Sequence, residues 1–212
     1  MDQPKSPPID ASHGPLLRRL FYALLLRRAF YDAVAADRRA TAPAGAVVCL
    51  AALARESVGL YEVSQAYKAW GLLLLLVAVF ALMRWVVYAA VMYPIARGLS
   101  GRPIEYARLL RCLGFAETPA VLSVLAFVLD ERLTPFITFA VGAWLLAATI
   151  VAVRAATGVP ARRAAVIGVL GFATYLGLGM AVDIATQLTP AHDVEPAGEH
   201  AEPAALTLRG TL

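Results

Sequence analysis

A chain of 212 residues that is 60% hydrophobic, with a mean hydropathy of +0.67, is too apolar for a water-soluble domain, where about 45–50% is usual. Its length leaves room for one helix bundle and little else. The net charge of +4 hides an uneven distribution, and among its basic residues only Lys5 and Lys68 are lysines.

Residues 1–14 contain several Pro and Asp residues and are expected to be a disordered lead-in. Residues 15–39 follow as a cytosolic interfacial region. Its first part, Leu16 to Arg28, sets Leu20 to Leu26 between Arg18-Arg19 and Arg27-Arg28. The pair Arg18-Arg19 resembles a twin-arginine signal with Ala33-Val34-Ala35 as its cleavage site. The apolar core is too short, however, and Arg27-Arg28 stands where a signal would stay neutral. A span needs about twenty residues, so the segment is expected to lie along the membrane surface as an amphipathic helix with basic anchors.

Residues 40–184 hold five apolar runs. Ala40 to Ala54 is long enough to cross only if extended to about Leu60. Trp70 to Tyr93 is the strongest, with aromatic residues at both ends, as membrane interfaces favour. Glu117 to Leu129 is short and spans only if its helix begins before Pro119. Leu133 to Val153 and Ala164 to Val182 are long enough, and Asp130-Glu131-Arg132 makes the turn between the third and fourth runs. Residues 185–212 form an acidic tail expected to be disordered.

Between the second and third runs, Tyr106, Leu109, Leu110 and Leu113 fall at i, i+3, i+4 and i+7, one apolar stripe on a helix. Glu105, Arg108 and Arg111 project from the other side, and Pro103 favours a helix start. Such a helix suits either the membrane surface, with its arginines toward water and phosphate, or a solvated connection.

Charge orients the runs. With five spans and the N-terminus inside, fourteen Lys and Arg residues fall inside, including Arg97, Arg102, Arg154, Arg162 and Arg163. Four (Arg55, Lys68, Arg132 and Arg209) fall outside, and Arg84 lies in the membrane. That is a positive-inside distribution. The expected fold is therefore an all-α polytopic bundle of about five transmembrane helices with interfacial amphipathic helices. It would sit in the bacterial inner membrane with a cytoplasmic N-terminus and an extracytoplasmic C-terminus.

The chain from about Phe30 to Val182 resembles the Yip (Ypt-interacting protein) domain family of five-span membrane proteins. The resemblance is carried by Ala29-Phe30-Tyr31-Asp32-Ala33-Val34-Ala35-Ala36-Asp37-Arg38-Arg39-Ala40-Thr41 and by Leu109 to Pro119, whose core is Gly114, Phe115 and Pro119. Trp144 and the stretch Val153 to Ala164 complete it. The Asp-Leu-x-Gly-Pro motif of eukaryotic members is absent and the cytosolic arm is short, so the chain looks like the bacterial branch. The resemblance implies a membrane role without a settled biochemical activity.

Arg84 lies within the second run about nine residues, or 13 Å, from its inner end. There a charge costs on the order of 2.5–3.5 kcal/mol and needs a partner or a wet cavity. Glu117 is the acid within reach. Arg84 and Glu117 form either a structural ion pair or a polar site for an anion. Gly98-Leu99-Ser100-Gly101 has the spacing of an intramembrane serine protease motif. No run contains a histidine to act as base, since His13, His192 and His200 all lie in the tails. Cys49 and Cys112 fall in different segments, so neither a disulfide nor a metal pair is expected. No phosphate-binding glycine loop or zinc motif is present, and no catalytic residue, cofactor, metal or nucleic-acid partner is expected. Small residues at four-residue spacing (Ala164 and Gly168, Ala173 and Gly177, Ala143 and Ala147) allow close packing of the fourth and fifth spans or a homo-oligomer.

The expected function is a non-catalytic membrane scaffold or adaptor. Arg97, Arg102, Arg108 and Arg111, with the Arg18/Arg19 and Arg27/Arg28 pairs, would meet anionic lipid headgroups or an acidic protein partner, at roughly 1 kcal/mol per charge near the surface. The alternative is a small transporter or permeation subunit built around Arg84.

Overall fold

The computed structural model describes residues 15–57, 70–129 and 131–188. Over these the chain forms α-helices and short 3-10 turns, with no strand among the described residues. The helices are α1 (Leu16–Leu24), α2 (Arg28–Ala36), α3 (Thr41–Arg55), α4 (Trp70–Ser100), α5 (Tyr106–Ala116), α6 (Val124–Val128), α7 (Thr134–Thr157) and α8 (Ala161–Leu188). The chain divides into two units, residues 1–176 and 177–212, and the second is described only over its helical residues 177–188. The lead-in 1–14, the extension of the first run past residue 57, Asp130 and the acidic tail past residue 188 lie outside the described residues.

The N-terminal amphipathic segment is two helices. On α1, Leu17, Phe21 and Leu25 point outward one turn apart, with Leu17 79% exposed, while Ala23 is buried. The helix closes in a Schellman turn: Arg27 N–H donates to Tyr22 O and Leu26 N–H to Ala23 O. That turn requires a left-handed residue, a place usually held by glycine, and here Leu26 takes it at φ 52°. Trp144 of α7 donates its indole N–H to Leu24 O, tying the end of α1 to the bundle.

The core gathers where α2, α3, α5 and the second half of α7 meet. Phe30, Tyr31, Val47, Leu109, Phe115 and Val153 are fully buried there. The first half of α7 and much of α4 remain open, with Phe139 79% and Phe80 62% exposed beside Leu72, Leu75 and Phe136. Apolar surface of this extent and contiguity is rejected by water and matched by lipid.

One expectation about the spans changes, and the condition set for the third run is met. Helix α5, expected to lie flat on the membrane or in solvent, is buried from Leu109 through Ala116 except at Leu110. Its apolar stripe finds α2, α3, α4 and α7 as partners. Pro119 does not end the helical path but tightens it into a 3-10 turn over Thr118–Ser123. The continuous stretch Tyr106–Ala126 is thus one of three among the described residues long and apolar enough to cross a bilayer, with Trp70–Ser100 and Thr134–Thr157. Helix α3, at 15 residues, rises only about 22 Å.

Three small residues of α8, Ala164, Gly168 and Gly171, serve packing within the chain. A Cβ on Gly168 would lie 2.7 Å from Ile150 Cγ1 of α7, and one on Gly171 would collide with Met92 Sδ of α4. Ala164 is fully buried in the same seam, whereas Ala143 and Ala173 are exposed and Gly177 has open space at its Cα.

Candidate functional site

Gly114 sits where three helices meet. A Cβ there would fall 2.8 Å from Ala44 Cβ of α3 and 3.0 Å from Trp85 Cζ2 of α4. Trp85 in turn donates its indole N–H to Leu110 O at 3.0 Å, so the ring that glycine admits is also hydrogen-bonded to the glycine's own helix. Phe115 is fully buried and stands edge-on to Phe30 at 5.2 Å. Thr118 Oγ1 donates to Phe115 O, and Pro119 opens the 3-10 turn. The Gly114–Phe115–Pro119 motif is a packing junction.

Past that junction lies Glu117, whose carboxylate is paired with Arg55 at the last turn of α3. Both side chains are mostly buried, at 19% and 13% exposure. The pair was not legible in the sequence, which placed Arg55 on the outer side and Glu117 at the inner end of a span. Their contact puts both at one depth, near the middle of Tyr106–Ala126. Arg84, likewise near the middle of α4, borders the same space as Glu117, with Val48, Ala81, Trp85 and Tyr88, too tight for a water molecule. On its other side Arg84 lines a cleft of about 260 Å³ between α3 and α4, shared with Ala52, Glu56, Leu73 and Phe80. The expected partners Arg84 and Glu117 therefore border one narrow space, and Arg55 is the residue the sequence reading missed. Its signal was a cation closing an apolar helix, which reads equally well as an interfacial anchor.

The four arginines expected to meet lipid or a partner separate into two pairs. Arg97 and Arg102 are exposed around the end of α4. Arg111 is 3% exposed and donates from Nη2 to Ala35 O at 2.8 Å. Arg108 donates from Nη2 to Ala155 O at 3.1 Å. Ala35 and Ala155 lie in the last turns of α2 and α7, where carbonyls lack intrahelical donors and the helix dipole is negative. Arg108 and Arg111 thus cap two helices from a third. The Nε atoms of both are buried without a hydrogen-bond partner among the described residues, a cost the charged Nη contacts must exceed.

Ser100 is 5% exposed and its hydroxyl is committed to the backbone, within donating distance of Arg97 O and Arg102 O and accepting from Arg102 N–H. It closes the turn at Gly101, where φ is +64°. No His, Cys, Asp or Glu group that could hold a metal occurs among the described residues. Tyr31, in α2, is fully buried with its hydroxyl near Ala23 O, and burial, reinforced by neighbouring Cys112, pushes its pKa upward.

No curated protein and no solved structure matches the chain. A family model, the Yip1 domain, matches residues 22–182.

Proposed function

Because this chain belongs to the Yip1 domain family, a membrane family with no known enzymatic activity, we propose that it is a non-catalytic membrane scaffold or adaptor. Its basic end would contact anionic lipid or an acidic protein partner from the cytoplasmic face of the bacterial inner membrane. The observation that carries this reading is the outward set of cations at one end of unit 1. Arg97 and Arg102 are exposed at the end of α4, and Arg162 and Arg163 are exposed at the start of α8, lining one groove with Gly98 and Gly101. The orientation follows from the same cations, since arginine is retained on the cytoplasmic side. Five crossings in total, with α3 and α8 as the first and fifth, complete this reading. Cross-linking in native membranes followed by capture of the full chain tests it. Partners or anionic lipid recovered with the wild type should fall several-fold when Arg97, Arg102, Arg162 and Arg163 are all replaced by Gln and return when all four are replaced by Lys. Equal recovery from all three would refute it.

A second reading, a permeation subunit, rests on the cleft beside Arg84 and Glu56. In a C49S/C112A background, a cysteine at Leu73 or Ala81 should react with a membrane-impermeant thiol reagent if that cleft carries water. Protection of both positions would end this reading. A homo-oligomer through Ala143 and Ala173 is the corresponding proposal for the small residues left exposed, tested by cross-linking between copies.

A further inference from the structure

The groove at the basic end has a composition that a diffuse charged surface lacks. Its volume is about 620 Å³, and Gly98, Leu99, Gly101, Arg162, Arg163 and Val166 line it. Two guanidinium groups and two apolar side chains therefore share one concave surface, with no acidic side chain in its lining. The first turn of α8 contains no acid either, and neither arginine has an ion-pair partner among the described residues. The glycines at 98 and 101 leave backbone open to a ligand: a Cβ at either would meet nothing within 4 Å.

From Val166 the apolar wall continues along α8. Val169 and Leu170 follow at i+3 and i+4, all three about half exposed, and Leu99 stands on the opposite wall at the end of α4. An occupant must therefore be anionic at one end and apolar along a length of at least one helical turn. A soluble acidic peptide would leave the stripe unused, and a free inorganic anion would leave Leu99 and Val166 uncovered. An anionic phospholipid satisfies both. Its phosphate oxygens accept from the planar guanidinium forks of Arg162 and Arg163, and its first acyl carbons lie along Val166, Val169 and Leu170. Basic pockets between membrane helices hold headgroups in this manner.

We infer that this groove is a binding site for one anionic phospholipid, drawn from the bilayer leaflet beside the end of α4. The site rests on the proposed function only in taking this end of the bundle to be the membrane–cytoplasm boundary. It goes further in assigning the contact to Arg162 and Arg163, which the apolar stripe singles out from Arg97 and Arg102.

The test uses the full chain in a zwitterionic detergent micelle, titrated with phosphatidylglycerol and, separately, phosphatidylcholine, with bound lipid counted by native mass spectrometry. One phosphatidylglycerol should bind in preference to phosphatidylcholine. R162Q/R163Q should weaken it at least tenfold, and V166W, which fills the groove without altering charge, should do the same. R97Q/R102Q should retain it within about twofold. Undiminished binding by R162Q/R163Q overturns the assignment, as does equal binding of the two lipids by the wild type. Equal loss from R97Q/R102Q would mean diffuse attraction, refuting the groove while leaving the basic-surface function standing. Full competition by millimolar inorganic phosphate would refute the acyl-chain wall. Thermal unfolding of each variant, expected within a few degrees of wild type, separates loss of the site from loss of the fold.

Discussion

The turn from Arg97 to Arg102 and the helix Tyr106–Ala116 are adjacent in the chain, and each carries two arginines, yet they put them to opposite uses. Arg97 and Arg102 stand in the open, around a turn held by Ser100. Arg108 and Arg111, on the next helix, reach carbonyls at the ends of α7 and α2. The difference lies in what surrounds the segments. Helix α5 is enclosed by α2, α3, α4 and α7, and its arginines have found the unpaired acceptors that helix ends leave. The turn has no such neighbours and leaves its cations to whatever the surroundings supply. Counting basic residues along the segment from Arg97 to Ala116 therefore overstates the surface charge, because half of this segment's arginines hold the fold together.

The largest effect that would sharpen this contrast is expected at Arg111. Arg111→Leu removes a charge-assisted hydrogen bond and strands Ala35 O inside the protein, a loss of about 2–3 kcal/mol. The apparent melting temperature in detergent should fall clearly, and more than for Arg111→Lys. An unchanged melting temperature would break the distinction between the two arginine pairs. Gly114→Ala comes next, at about 1–3 kcal/mol for overpacking, since its Cβ meets Ala44 and Trp85. Adding Ala44→Gly should recover much of that loss, because the 2.8 Å contact is with Ala44 Cβ. Absence of any rescue would place the strain at Trp85.

The buried Tyr31 hydroxyl beside α5 gives a smaller, pH-dependent effect. Its folded-state pKa is raised by burial and then by Cys112. The unfolded chain therefore loses the proton first, near pH 10. The linkage leaves stability intact below that pH and removes it as pH rises beyond, at about 1.4 kcal/mol per unit from this one group. Denaturation measured between pH 9 and 11 should show the decline, and Tyr31→Phe should flatten it relative to wild type. The smallest effect belongs to the open turn. R97Q/R102Q should alter stability by no more than about 0.5 kcal/mol. A large destabilisation would show that the turn too is structural.

Much of the architecture was legible because it depends on local periodicity and composition. Long apolar runs at Trp70 to Tyr93 and Leu133 to Val153 announced α4 and α7, because length and hydrophobicity are what the bilayer requires of a spanning helix. The Tyr106–Leu113 stripe announced a helix and an apolar face, of which Leu109 and Leu113 are buried, while Arg111 on the other side is buried too. The same signal could not say whether that face would meet lipid or protein, since both accept apolar side chains equally.

The sequence by itself determined that this is an all-helical membrane protein and that Gly114 to Pro119 forms a recognisable family motif. Tertiary structure alone decided that Arg111 caps α2, that Arg55 and not only Arg84 stands beside Glu117, and that Arg162 and Arg163 share a groove with Leu99. The reason is the range of the forces involved. Helix formation and apolar burial repeat every few residues and leave a period in the chain. A cation and the carbonyl or carboxylate it meets can lie 62 or 76 residues apart, as Arg55–Glu117 and Arg111–Ala35 do, and a pairing over that distance leaves no period to read.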